Sequence, residues 1–282
     1  VTLPFVKMHG LGNDFVLADG LDPATPSLEV IRPHLARIGD RRFGVGYDQF
    51  LFVARSEIAD FAMPIFNSDG SEAEMCGNGI RAFAKYVFEH GHTESTTITV
   101  ETLAGIKTLV LHVDGRTVDS VRVDMGAPAL DRAALPMVGS AGPVLDEPLE
   151  VDGEVVRLTG VSMGNPHVVF FADPLPEVVI DRLGPKLETH PAFPRRTNVH
   201  AVQVHSRSEL TMLTWERGAG RTLACGTGAC AVGVAAALNG LADRSTRIHL
   251  KGGDLRIDWG ADNHVFMTGP ATEVYTGTYP LD

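Results

Sequence analysis

Two of the chain's three cysteines stand in the same local setting. Cys76 begins Cys-Gly-Asn-Gly and Cys225 begins Cys-Gly-Thr-Gly, and each run opens an apolar stretch. Such a run reads as the start of a helix, where unpaired backbone N–H groups carry positive partial charge. That field is expected to favour a thiolate over a thiol and to attract a carboxylate. The glycines remove side-chain bulk, so a ligand can approach the backbone. A buried structural thiol is the plainer reading of any one cysteine. The pairing of two argues for chemistry. Cys230, five residues beyond Cys225, falls on the apolar run and is read as packing.

Two such groups suit one reaction class well. Inverting a carbon by proton transfer needs a base on one face and an acid on the other. One thiolate and one thiol supply these, and they exchange roles when the reaction reverses. The α-hydrogen of an amino acid is far less acidic than a thiol. Fixed N–H donors around the carboxylate and exclusion of water must make up the difference.

The setting of the two cysteines is part of a longer repeat. They lie 149 residues apart, and the offset persists upstream. Asn67 lies nine residues before Cys76, and Glu216 nine before Cys225. Gln49 precedes Asn67 by 18 residues, and Asn198 precedes Glu216 by 18. Gly12-Asn13 leads into Phe-Val-Leu-Ala-Asp, and Gly164-Asn165, offset by 152, leads into Val-Val-Phe-Phe-Ala-Asp. Ordered matches at nearly one offset imply two homologous halves, with a boundary near Met125 to Pro128.

Each half has short β-type runs, then the cysteine loop, then a helix, then more strands. The spacing predicts helices over Asn78 to His90 and Thr227 to Asn239, stopped by Gly91 and Gly240. The second is apolar on every face, the mark of a buried helix. The first shows Arg81 and Lys85 on one side of a wide apolar stripe. The expected fold is α+β: two pseudo-symmetric homologous domains, each a curled, mostly antiparallel sheet wrapped around a central helix.

Composition narrows the class. At 282 residues, 44% hydrophobic and 21% charged, the chain can bury substantial cores without metal or disulfide staples. A net charge of −11 argues against a nucleic-acid partner. No zinc-like Cys/His spacing and no CxxC pair is present, so no metal is expected. The first thirty residues lack a signal-peptide pattern, and the Ala-rich stretch around Ala224 to Ala242 is too weakly apolar to span a bilayer. A cytoplasmic protein without a membrane partner is expected.

At the cysteine blocks the chain resembles the diaminopimelate epimerase family. The matching segments are Phe66-Asn67-Ser68-Asp69-Gly70-Ser71-Glu72 with Met75 to Gly79, and Trp215-Glu216-Arg217-Gly218 with Leu223 to Gly228. Others are His9 to Phe15, Gly44 to Gln49, Gly164-Asn165-Pro166-His167 and Thr197-Asn198-Val199. The resemblance implies interconversion of LL- and meso-diaminopimelate, for lysine and peptidoglycan precursors, without cofactor or metal. It implies Cys76 and Cys225 as base and acid, with Gly77, Asn78, Gly226 and Thr227 holding the reacting carboxylate. Asn13, Asn67, Asn165, Asn198 and Arg217 would read the distal amino-acid end, with Gln49 nearby. His167 and Glu216 would contact the reacting amine and tune the cysteines. A distal carboxylate suits a guanidinium fork, and amides read charge without adding any.

The resemblance also implies that residues 1–126 are completed by 274–282, leaving 127–273 as the second domain. A homodimer is possible. Arg221 departs from the family pattern, standing where an acidic residue is expected. Four alternatives stand beside this resemblance, one of them an isomerase of the same fold without a cysteine pair, against which Cys76 and Cys225 argue. A proline racemase-like enzyme would carry His at Asn78 and an Asp near the second cysteine. A redox protein would use the cysteines as a disulfide couple, and an amino-acid-binding protein would not need them as thiols.

Overall fold

Buried residues alternate along strands such as Thr97–Thr102, Ser245–Leu250 and Val265–Gly269, which bury one side, whereas Asn13–Asp19, Gln49–Val53 and Pro166–Phe171 are buried in nearly continuous runs on both sides. In a computed structural model describing residues 1–282, the chain forms two compact units. The first comprises Val1–Val123 and Gly269–Asp282, the second Asp124–Thr268.

In the first unit a five-stranded sheet runs in the order Thr272–Pro280, Thr2–Gly10, Asn13–Asp19, Gln49–Val53, Ile65–Asn67. All neighbours are antiparallel except Asn13–Asp19 with Gln49–Val53. A second ladder joins Phe61–Ala62, Thr97–Thr102, Gly105–Asp114 and Thr117–Asp124. The helix Gly77–Glu89 packs against strands from both ladders. Leu3, Phe5, Val16, Phe50, Phe66 and Leu281 are among the residues of a core in this unit.

The second unit repeats the pattern. Pro166–Phe171 runs parallel to Asn198–Ser206, which pairs antiparallel with Glu209–Glu216. Further strands extend the sheet on both sides, from Glu147–Val151 to Val265–Gly269. Its helix Gly226–Leu238 contacts six strands, and Val232, Val234 and Ala235 are wholly buried. A helix apolar on all faces is stable only when surrounded in this way. The fold is α+β, with two units of curled, mostly antiparallel sheet around a central helix and no closed barrel. Helix Glu177–Glu188 covers an apolar cluster of this unit with Ile180, Leu183 and Leu187.

The expected polar side of the first helix is absent. Arg81 is fully buried and Lys85 nearly so. Strands cover this helix too, so both charges need internal partners. Arg81 donates to the Gly77 carbonyl at 3.0 Å and to Asn78 Oδ1 at 2.9 Å. Lys85 donates to Glu89 Oε1 at 2.6 Å and to the Val118 carbonyl at 2.9 Å.

Candidate active site

The tight turn at Leu11-Gly12, both at positive φ, delivers Asn13 to the start of its strand; Gly164, φ +92°, does the same for Asn165. Register is repeated as well. Phe15 lies opposite Gln49 in the first unit, and His167 opposite Asn198 in the second. Each cysteine is the N-cap residue of its helix, with φ and ψ of −136° and 117° at Cys76 and −133° and 107° at Cys225. Extended backbone at the cap leaves the first helical N–H groups without partners inside the helix.

In the first unit, Cys76 Sγ accepts the Gly79 N–H at 3.4 Å and donates to Asn13 Oδ1 at 3.4 Å. Asn78 Nδ2 donates to the same oxygen at 3.3 Å. Asn13 Nδ2 in turn donates to Asp48 Oδ2 at 2.7 Å. Behind it Arg41 bridges Asp14 and Asp48 at 2.7 and 2.5 Å, and Lys7 also pairs with Asp14. Burial alone would raise the Asp14 carboxyl, but Arg41 and Lys7 overcome it and hold it at about 2. Gln49 Nε2 donates to Asn67 Oδ1 at 3.3 Å, while Gln49 Oε1 is buried with no protein partner. Asn67 Nδ2 donates to Ser71 Oγ at 3.0 Å.

In the second unit Cys225 is 5% exposed, and its Sγ lies 3.8 Å from Thr227 Oγ1. Asn165 Nδ2 donates to Thr227 Oγ1 at 3.4 Å, and Asn165 Oδ1 faces His167 Nε2 at 2.9 Å. His167 Nδ1 meets His200 Nε2 at 2.9 Å, and His200 Nδ1 meets the Thr214 hydroxyl at 3.1 Å. Asn198 is bound to backbone at both ends of its amide. It donates to the Pro166 carbonyl at 2.8 Å and accepts the Arg217 N–H at 2.9 Å. The Arg217 guanidinium donates only to the Arg195 carbonyl, at 3.3 Å, and is otherwise open for a ligand. Glu188 accepts from Trp215 Nε1 at 2.8 Å and the Gly218 N–H at 2.9 Å, anchoring the Glu216–Arg217 loop from below.

Electrostatics in this unit differ from the helix-dipole expectation. Burial, and after it the Glu216 carboxylate, pushes the Cys225 thiol well above its ordinary range. The Gly228 amide and the Thr227 hydroxyl pull the other way without cancelling this. Two hydrogen bonds to the sulfur do not offset the loss of water plus a nearby negative charge. Burial also holds both imidazoles neutral, His200 down to about 3 and His167 well below the usual range.

Asp48, His200, Arg81 and Glu188 were not among the residues expected to act here. Asp48 stands beside Gln49 in a matching block, and His200 takes the repeat position of Leu51; these signals were available. Arg81 and Glu188 carry no local sign of burial. Arg221 is held by Asp181 at 2.7 Å and Glu177 at 3.4 Å, so the helix Glu177–Glu188 supplies its counter-charges. Cys230 is wholly buried. No group of three His, Cys, Asp or Glu is arranged to hold a metal ion, and no helix is long and apolar enough to cross a membrane.

The family model for diaminopimelate epimerase matches residues 5–130 and 159–274. The chain is 56% identical to the diaminopimelate epimerase of Moorella thermoacetica over 280 residues, covering 99% of both chains. It is 53% identical to that of Pelotomaculum thermopropionicum, covering 98% of both. A phenazine biosynthesis protein of the PhzF family from Bacillus anthracis shares the fold, with a TM-score of 0.72 at 18% identity over 99% of each chain.

Proposed function

The chain belongs to the diaminopimelate epimerase family, and we propose that Cys76 and Cys225 are the two groups that move the α-proton in its reaction. That reaction interconverts LL- and meso-2,6-diaminopimelate by two-base transfer without a cofactor, in lysine and peptidoglycan-precursor biosynthesis. The thiolate of one cysteine takes the α-proton and becomes a thiol. The thiol of the other delivers a proton to the opposite face and becomes a thiolate. Product release and proton exchange with water restore either starting state.

The observation that carries this assignment is that each thiol caps a helix in equivalent units, ahead of Gly-Asn-Gly and Gly-Thr-Gly. The raised Cys225 thiol suits the proton donor in the direction in which Cys76 is the base, and the roles exchange in the other direction. Gly77, Asn78, Gly226 and Thr227 offer N–H and side-chain donors for the reacting carboxylate. The Glu216 carboxylate suits contact with the reacting ammonium, while neutral His167, its two ring nitrogens taken by Asn165 and His200, acts through Asn165 rather than on the amine itself. Asn13, Gln49, Asn67, Asn165, Asn198 and Arg217 form or support the distal subsite, with Arg217 as the partner of the distal carboxylate.

A cytoplasmic location fits a biosynthetic enzyme that needs reduced thiols. A homodimer belongs to the same reading, since exposed Val274 and Tyr275 on the edge strand Thr272–Pro280 offer apolar surface to a second copy.

The test is incubation of reduced protein with LL-diaminopimelate in deuterated water, followed by NMR at the α-position. Exchange with inversion is expected in the wild type and absent in Cys76→Ala and Cys225→Ala. Near-normal turnover by either variant would refute the two-thiol assignment.

A further inference from the structure

The internal repeat is broken directly beneath Cys225. In the first unit the space against Gly79 is apolar. A methyl group added there would lie 3.2 Å from Leu51 Cδ2 and 3.4 Å from Phe15 Cε1. In the second unit the corresponding space is filled by an imidazole. A methyl group at Gly228 would lie 2.4 Å from His200 Cε1, 2.7 Å from His200 Nε2 and 3.1 Å from Cys225 Sγ. Gly228 is therefore the residue that lets the His200 ring lie against the helix start beside the thiol.

Strand register makes the correspondence firm. Phe15 faces Gln49 and Leu17 faces Leu51, as His167 faces Asn198 and Val169 faces His200. Two apolar side chains in one half are two buried imidazoles in the other. Burying an imidazole carries a free-energy cost unless its nitrogens are hydrogen-bonded, so packing alone favours the apolar pair.

We propose that His200 is a positioning residue for the epimerase reaction: held between Thr214 and His167, it sets the protonated nitrogen of His167 and, through Asn165 and Thr227, the placement of the Cys225 thiol. This rests on Cys225 acting in the reaction. The hydrogen-bond directions follow from the groups themselves. Both imidazoles are neutral, so each has one donor and one acceptor nitrogen. Asn165 Oδ1 accepts, so His167 carries its proton on Nε2. His167 Nδ1 must then accept from His200 Nε2–H, and His200 Nδ1 from the Thr214 hydroxyl. Asn165, fixed by its oxygen, turns Nδ2 toward Thr227 Oγ1, which lies beside Cys225 Sγ. Without the His200 donor, His167 Nδ1 is left buried and unpaired, and the ring is no longer held in one tautomer.

Two substitutions separate this role from simple packing. His200→Leu installs the residue that the first unit carries at the equivalent place. His200→Gln keeps a donor within reach of His167. The expected result is a kcat for His200→Leu lower by about tenfold or more, with KM within about threefold, and recovery of most of that loss by His200→Gln. A packing role predicts the reverse order, with Leu at least as active as Gln, and that order would overturn the proposal. So would a kcat within about twofold of wild type for folded His200→Leu.

Should His200→Leu fail to fold, Thr214→Val removes the far end of the relay instead. A kcat reduction of about threefold is then expected, and no change overturns the role. Ring-nitrogen NMR on the wild type supplies an independent readout. His167 is expected as the Nε2–H tautomer, and the Nδ1–H tautomer would contradict the relay. Inversion by Cys225→Ala would instead sink the reading beneath the proposal, whatever the His200 variants do.

Discussion

At Cys225 two effects oppose each other. The Gly228 N–H at the helix start and the Thr227 hydroxyl favour a thiolate, while burial and the Glu216 carboxylate favour the thiol, and the second pair prevails. A raised pKa means less thiolate at any given pH, so alkylation of Cys225 should be slow near pH 8 and accelerate only above the ordinary thiol range. Glu216→Gln removes the negative charge and lowers that pKa. The expected outcome is faster alkylation of Cys225 at pH 8, by roughly threefold to tenfold, read by mass spectrometry of the Cys225 peptide. An unchanged rate would show that Glu216 does not govern the thiol. The pair of cysteines was readable from their flanks; this balance was not, because burial is a property of the folded surroundings rather than of neighbouring residues.

The turns and helix starts make up the next scale. Asn13 is useful only in one amide orientation, with Oδ1 toward Cys76 and Asn78. Asp48 sets that orientation by accepting from Asn13 Nδ2 and from the Asp14 N–H at 3.1 Å. Asp48→Ala should let the amide rotate and lower kcat by about fivefold to twentyfold while the protein stays folded, which steady-state kinetics beside a melting curve would check. Unaltered kcat would remove Asp48 from this role.

Much at this scale was legible in advance. The Cys-Gly-polar-Gly runs and the stopping glycines locate both helices to within about a residue, since caps and C-terminal glycines act locally. The wholly apolar Gly226–Leu238 run called for surrounding strands, and six contact it. Arg81 and Lys85 suggest a polar face in the sequence, because charge usually marks solvent. The carbonyls that satisfy them come from segments such as Pro270 and Val118, which no local pattern connects to the helix.

Over the whole molecule, the first unit is assembled from both ends of the chain. Thr272–Pro280 pairs with Thr2–Gly10, Leu281 joins the core, and the Pro270 carbonyl accepts from Arg81 at 3.3 Å. Deleting residues 270–282 exposes an apolar sheet edge and leaves Arg81 short of a partner. Activity should be lost, and amide exchange should accelerate across Thr2–Asp19 and Gly77–Glu89. The helix Gly226–Leu238, whose unit is continuous in sequence, should keep its protection. Equal loss of protection in both helices would show that the two units do not unfold separately.

The sequence by itself determined the duplication, the place of each thiol at a helix start and the family, because these reside in short local patterns repeated at one spacing. Only the tertiary structure decided that burial pushes the Cys225 thiol up, that Asp48 orients Asn13, and that the His167 and His200 imidazoles are buried and hydrogen-bonded to each other. The physical reason is common to all three. Desolvation and hydrogen-bond partnership are set by groups brought together from distant parts of the chain, as His167 and Thr214 are on the His200 ring, which itself lies beside Cys225 at Gly228.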